Sequence, residues 1–124
     1  MTYLDTHVVV WLYEGEIEKL SRSAVEQVNN DSLFISPAVM LELELLHEIH
    51  RLTRTSQTIV GSLASEMGLE VCQLPFAEVA ENALHQKWVR DPFDRIIVAQ
   101  ASANDASLIT KDEKIRHHYK RAVW

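Results

Sequence analysis

Four carboxylates stand where an apolar chain would not place them without a partner. Asp5 interrupts the run Tyr3-Leu4-Asp5-Thr6-His7-Val8-Val9-Val10. Glu42 lies inside an apolar helical pattern, Asp94 opens the helix-like stretch that continues Arg95-Ile96-Ile97-Val98-Ala99, and Asp112 follows the run Ser107-Leu108-Ile109-Thr110. An unpaired carboxylate held away from water is costly, so such groups are neutralised, hydrogen-bonded or bound to a metal. Four acids at the ends of apolar elements point to one acidic pocket for divalent cations. Hard cations take oxygen ligands, and Mg2+ keeps several waters beside a few carboxylates, so neither histidine nor cysteine is required. A pair of such ions orients water and neutralises the leaving oxygen of a phosphodiester.

The elements that must position these acids alternate between strand and helix. Thr2–Leu4 reads as a strand. The β-branched residues Val8, Val9 and Val10 would extend it, whereas a carboxylate at position 5 argues for a break. Gly15 reads as a stop. Ser21 or Ser23 can cap a short helix to about Asn29, and Asn29-Asn30-Asp31 is a turn signal. Leu33-Phe34-Ile35 is a short strand. Ser36-Pro37 then opens a helix to about His50, with serine as cap and proline at the first helical position. On that helix the neighbours of Glu42 are Ala38, Val39, Leu45 and Leu46, with Ile49 further on. Glu42 is therefore expected to project from the buried stripe, which Glu44 and Glu48 share less fully.

Ile59, Val60, Leu63, Ala64 and Met67 form a helical stripe closed by Gly68, and Leu69–Leu74 alternates like a strand. Pro75 starts another helix with Phe76, Val79, Ala80, Ala83 and Leu84 on one face. Asp91-Pro92-Phe93-Asp94 reads as a helix start. Leu108-Ile109 and Ala122-Val123-Trp124 are the last strand candidates. Strands alternating with helices imply a parallel sheet covered on both faces, the α/β class. Ligands in such sheets bind outside the carboxyl ends of the strands. Asp5 and Asp112 follow strands, while Asp94 and Glu42 lie near helix starts, so all four can reach one sheet edge.

Each acid also has a structural reading. Asp5 can cap a helix. Asp91 is most simply an N-cap and Asp94 the third residue of a capping box. Asp112 can cap a last helix, and Glu42 can pair with an arginine. No single acid decides between these readings, and the case rests on the four together. The histidines (His7, His47, His50, His85, His117, His118) form no obvious metal set and read as surface or satisfied polar groups. Cys72 reads as core rather than nucleophile, and Trp11, Trp88 and Trp124 read as core or interface rather than as base-stacking platforms.

The 124 residues are expected to form a single domain, 1–124, with a sizeable core. One cysteine excludes an intrachain disulfide or a thiolate zinc site. It fits a reducing, cytoplasmic setting. No segment has the apolar length of a membrane span, and Asp5 breaks the first apolar run, so neither a span nor a signal peptide is expected. The three glycines form no phosphate-cradling loop, and Ser36 lacks a nucleophile elbow. A net charge of −6 argues against nucleic-acid binding by bulk electrostatics. It leaves room for a nuclease whose acids gather cations that then meet phosphates. Basic residues including Arg90, Arg95 and Lys111 cluster in sequence near the two C-terminal acids.

The blocks Leu4-Asp5-Thr6-His7, Ile35-Ser36 with Glu42 six residues after the serine, Arg90-Asp91-Pro92-Phe93-Asp94-Arg95 and Leu108-Ile109-Thr110-Lys111-Asp112 resemble the PIN-domain ribonucleases. The likeness is greatest to the VapC-type toxins of bacterial toxin–antitoxin pairs. It spans nearly the whole chain, and Asp-Pro-Phe-Asp-Arg is its most specific block. The resemblance implies a three-layer α/β/α sandwich with a short, mostly parallel central sheet. It implies an endoribonuclease that uses Mg2+ or Mn2+ and a metal-activated water. The matching acids are Asp5, Glu42, Asp94 and Asp112, with Asp5 and Asp94 as the usual metal ligands. Thr6 and Thr110 fall at family-like hydroxyl positions, and Arg90, Arg95 or Lys111 would position the RNA backbone. An antitoxin partner that inserts a peptide between helices, and a homodimer, are implied as well. The stretch from Arg51 to Ser56 departs from the glycine-containing turn of relatives.

Two rival readings follow from the same residues. One is a PIN-fold binding module that no longer turns over, against which the intact acid set speaks. The other is a different Mg2+ enzyme or phosphoacceptor. A haloacid-dehalogenase-like phosphatase needs a second acid where His7 stands, and the acid pattern of a receiver domain is missing.

Overall fold

The computed structural model covers Met1 to Trp124 and resolves the ambiguity at Asp5. β1 (Thr2–Leu4) stops there, and α1 (Thr6–Glu14) begins with Asp5 as its cap. The β-branched run Val8-Val9-Val10 is helical and buried. Local strand propensity loses to the cap and to packing of the helix on the sheet. Gly15 ends α1 in the left-handed conformation, φ 71°, which a glycine adopts without steric cost.

A short 3-10 turn (Ile17–Lys19) leads to α2 (Arg22–Asn30), capped by Ser21, and then to β2 (Leu33–Ile35). Ser36 caps α3 (Pro37–Glu48), which ends two residues before the expected His50. α4 (Ser56–Met67) follows, closed by Gly68 as the sequence predicts. The strand expected over Leu69–Leu74 is only β3 (Glu70–Val71). It lies at the sheet edge beside a three-residue neighbour, so little backbone is available to pair. α5 (Phe76–Ala83) has Pro75 as its cap residue rather than its first turn. Its predicted apolar face is split. Val79 and Ala83 are buried, while Phe76 and Leu84 are 69% and 65% exposed. α6 (Pro92–Ala103), β4 (Ser107–Ile109), α7 (Glu113–His118) and β5 (Ala122–Val123) complete the chain.

The five strands form one sheet in the order β3-β2-β1-β4-β5, and every neighbouring pair is parallel. With helices against it this is the expected α/β sandwich. β1 is central, with Tyr3 opposite Phe34 on one side and Leu108 on the other. All three of its residues are buried, which requires cover on both faces. The core is built from Tyr3, Leu4, Leu33, Ile35, Leu43, Ile97, Leu108 and Ile109. Cys72 is buried, as read from sequence, and accepts a hydrogen bond from the Tyr3 hydroxyl at 2.9 Å. The carboxyl ends of β1 and β4 meet where the Asp5 N–H donates to the Ile109 carbonyl at 3.0 Å. That junction is the floor of the site.

Candidate active site

Three acids reach the site by capping helices. Asp5 begins α1, and its Oδ1 accepts from the Thr6 N–H at 2.8 Å. Asp91 begins α6 and accepts from the Asp94 N–H at 3.0 Å. Asp112 begins α7 and accepts from the Ile115 N–H at 2.9 Å. Asp94 stands in the first turn of α6, and its own carboxyl accepts no hydrogen bond from the protein. Glu42 comes from the middle of α3.

Two buried threonines join these groups into one chain of contacts. The Thr6 hydroxyl donates to Glu42 Oε1. The Thr110 hydroxyl donates to Asp5 Oδ2 at 2.6 Å and accepts from the Asp112 N–H at 3.1 Å. Thr6 and Thr110 are 1% and 0% exposed, so neither hydroxyl has water as an alternative partner. The carboxylates of Asp5 and Glu42 are thereby aimed before any ligand arrives.

Asp5, Glu42, Asp91, Asp94 and Asp112 line one cleft of about 430 Å³, together with His7, Val8, Trp11 and Lys111. Burial pushes the Asp94 carboxyl up to about 7, and repulsion from Asp5, Asp91, Asp112 and Glu42 adds to the rise. Burial also raises Asp5, against the lowering effect of its bonds from Thr110 and Thr6. Glu42 is raised by burial, opposed by Thr6 and reinforced by Asp5 and Asp91. Crowded, half-desolvated carboxylates of this kind favour a proton or a cation.

The structure thus brings together all four acids singled out from sequence. The reason expected for Glu42 needs correction. The buried line of α3 runs through Val39 and Leu43, while Leu45 is 40% and Ile49 61% exposed. α3 is apolar beyond its buried stripe, so apolar neighbours did not mark the core face. Glu42 sits on the flank that meets α1. Of the three basic residues, Lys111 lines the cleft. Arg95 donates to the Val89 carbonyl at 2.7 Å and Arg90 to the Lys87 carbonyl at 2.8 Å, and neither is among the lining residues. The sequence reading passed over His7 and Trp11 as parts of the site. They are four residues apart on α1, on one helical face beginning at Asp5, a signal that was available once the helix was placed there.

The donor set suits a hydrated hard cation better than a dehydrated one. No three acidic or imidazole side chains converge to chelate a single ion with protein atoms alone. Mg2+ needs no such cage, because waters fill most of its octahedron. The free carboxyl of Asp94 and the remaining lone pairs of Asp5 are oxygen donors of the right kind, and a cation would relieve their mutual repulsion. The histidines supply no alternative metal cluster.

Comparison with known proteins adds independent observations. The family model described as PIN domain matches residues 2–121. Ribonuclease VapC22 of Mycobacterium tuberculosis is 30% identical over 118 residues, covering 93% of this chain and 89% of that protein. Two solved structures share the fold at 20% identity. One is VapBC2 from Rickettsia felis bound to a DNA fragment from their promoter, at a TM-score of 0.68 with 100% of this chain and 98% of that chain covered. The other is a toxin–antitoxin complex from Klebsiella pneumoniae, at a TM-score of 0.70 with 100% and 97% covered.

Proposed function

Because this chain belongs to the PIN domain family, we propose that it is a Mg2+- or Mn2+-dependent endoribonuclease and the toxin of a toxin–antitoxin pair. The observation that carries the reading is the convergence of five carboxylates on one cleft at the carboxyl edge of the parallel sheet. Asp5 and Asp94 would hold the cation, with Glu42 and Asp112 completing the pocket. When bound, the ion supplies the concentrated positive charge that a phosphodiester and its attacking water require.

The chain's own residues do the rest. Thr6 and Thr110 fix the carboxylates of Glu42 and Asp5. Glu42 Oε1 is engaged by Thr6, which leaves Oε2 to orient the water and take its proton. Burial raises the Glu42 carboxyl above its ordinary value, which makes its carboxylate a stronger base. Lys111 lies in the cleft wall, where its ammonium would meet a phosphate. Arg90 and Arg95 would then contact the RNA backbone outside the cleft.

The proposed antitoxin partner and homodimer are supported by exposed apolar side chains. Leu41 is 56% exposed, Leu45, Ile49 and Phe76 are 40%, 61% and 69% exposed, and Leu41 and Phe76 line one mostly apolar cavity of about 320 Å³. No helix is long and apolar enough to cross a membrane, and a cytoplasmic site of action is part of the proposal.

The test is cleavage of single-stranded RNA by the purified, antitoxin-free protein. Activity is expected with Mg2+ or Mn2+, lost in EDTA, restored when the metal is returned, and absent from Asp5→Asn and Asp94→Asn proteins that keep their circular dichroism. Cleavage that persists in EDTA would overturn the metal-dependent reading. RNA bound but never cut would leave a binding module in its place.

A further inference from the structure

Trp11 occupies the cleft wall without a part in the chemistry above. It packs against the main core and against Trp124, with ring centroids 6.0 Å apart at 55°, which fixes the indole in position. It also lines the acidic cleft. Lys111 Nζ stands over the ring, 5.9 Å from its centroid, at the outer limit of about 6 Å for a cation–π contact. The ring is therefore only loosely covered on that side. His7, exposed and one helical turn earlier, holds its imidazole 6.1 Å from the indole at 44°.

The charge distribution gives this aromatic surface a task. Nucleic-acid affinity ordinarily comes from phosphate contacts with lysine and arginine. This chain carries a net charge of −6, and its cleft presents five carboxylates and one lysine. A strand entering here needs a contact that does not depend on charge. Stacking of a base on an aromatic ring is such a contact, and it tolerates any base because each has a π-face.

We propose that Trp11 is a stacking platform for one unpaired base of the RNA strand beside the scissile phosphate, with Lys111 swinging from the ring to the adjoining phosphate. This inference rests on the ribonuclease reading of the same cleft. It requires an unpaired base at that position of the strand, because bases in a duplex are already stacked on one another and offer no free face. Trp11 is a positioning residue in this scheme and acts on no reacting atom.

The experiment uses the Asp94→Asn protein, so that binding is read without cleavage. A fluorescein-labelled single-stranded oligoribonucleotide of mixed sequence is titrated by anisotropy against that protein and against versions that also carry Trp11→Phe or Trp11→Leu. Leucine fills the core-facing space without a π-face, and a thermal melt checks that both variants fold. The phenylalanine protein should bind nearly as well as its parent. The leucine protein should bind about 5- to 150-fold more weakly, as expected for loss of one stacked base. An oligonucleotide of the same length with abasic riboses should bind both variants equally. Equal affinity of folded phenylalanine and leucine proteins for the intact strand, or no binding by any of them, would overturn the proposal. Loss of antitoxin binding alone in the leucine protein would make Trp11 a protein contact and would also overturn it. Cleavage assays with Asp94 intact keep the two levels apart. A ribonuclease whose KM is unchanged by Trp11→Leu refutes stacking alone, whereas stacking without cleavage in any condition refutes the ribonuclease reading alone.

Discussion

Replacing Asp94 by asparagine should stabilise the metal-free protein while abolishing its activity. The Asp94 carboxyl is pushed up to about 7 from an ordinary 3.8, first by burial and then by repulsion from Asp5, Asp91, Asp112 and Glu42. The folded state therefore holds this proton more tightly than the unfolded chain. Stability from the protonated carboxyl is fully present below about pH 4 and is lost as the pH rises to about 7. A shift of about three units corresponds to about 4 kcal/mol. The carboxyl is only half-buried, and solvent screening reduces the effect to about 1–2 kcal/mol. Asparagine has the same shape and no charge, so the Asp94→Asn protein should match the wild type near pH 4. At pH 7.5 it should exceed it by that amount, about 4–8 °C in melting temperature for a domain of this size. Asp31, held down to about 2 chiefly by the N-terminal ammonium, titrates alike in both proteins and cancels from the comparison. The assay is a thermal melt in EDTA across pH 4 to 8. Saturating Mg2+ should then narrow or reverse the order at pH 7.5, because ligand binding stabilises only the chain that binds it, by about 2.7 kcal/mol at a hundredfold excess over Kd. An asparagine protein less stable than wild type at pH 7.5, or a gap equally large at pH 4, would refute the electrostatic reasoning.

Other perturbations test other links. Thr110→Val removes the donor to Asp5 and the acceptor for the Asp112 N–H. It should cost about 1–3 kcal/mol in urea denaturation and depress kcat more than KM, and an unchanged kcat would mean that Asp5 needs no positioning. Leu43→Ala empties a fully buried site on α3, and equilibrium unfolding should show a loss of about 2–5 kcal/mol. Leu41→Asp with Phe76→Asp places charge on the exposed apolar surface. Sedimentation should show a homodimer reduced to monomer with unaltered circular dichroism, and a persistent dimer would locate the interface elsewhere.

Much of the architecture was legible because its signals are local. Ser36-Pro37 and Asp91-Pro92 announce α3 and α6, and Gly15 and Gly68 close α1 and α4. What failed depended on tertiary context. The length of β3 is set by how much edge β2 offers, which Leu69–Leu74 cannot encode alone. The apolar residues Leu45, Ile49, Phe76 and Leu84 fit a buried pattern yet are exposed. A hydrophobic stripe states which residues share a face and leaves open whether that face meets this chain's core. The same gap hid Trp11 and His7, whose place in the cleft wall follows only once Asp5 is known to start a helix.

The capping reading and the site reading of the acids are one arrangement seen twice. Asp5, Asp91 and Asp112 each accept a backbone N–H at a helix start, and each lines the cleft. Three helices therefore direct their N-terminal ends at it. The partial positive charge of a helix N-terminus favours a nearby carboxylate by about 0.3–1 kcal/mol at exposed sites and more where partly buried. That attraction offsets part of the repulsion among five neighbouring acids and lets the cleft persist before any cation binds. Asp94 has no such hydrogen bond to its carboxyl, and burial with repulsion from four neighbouring acids pushes it up to about 7. The group with least hydrogen-bonded support from the fold thus has much to gain from a cation. It follows that Asp94 should govern metal affinity more strongly than Asp112, whose carboxylate is already occupied by the N–H of Ile115. Isothermal titration with Mn2+ should show a larger loss of affinity for Asp94→Asn than for Asp112→Asn, and the opposite order would mean that capping and cation binding are separate tasks in this cleft.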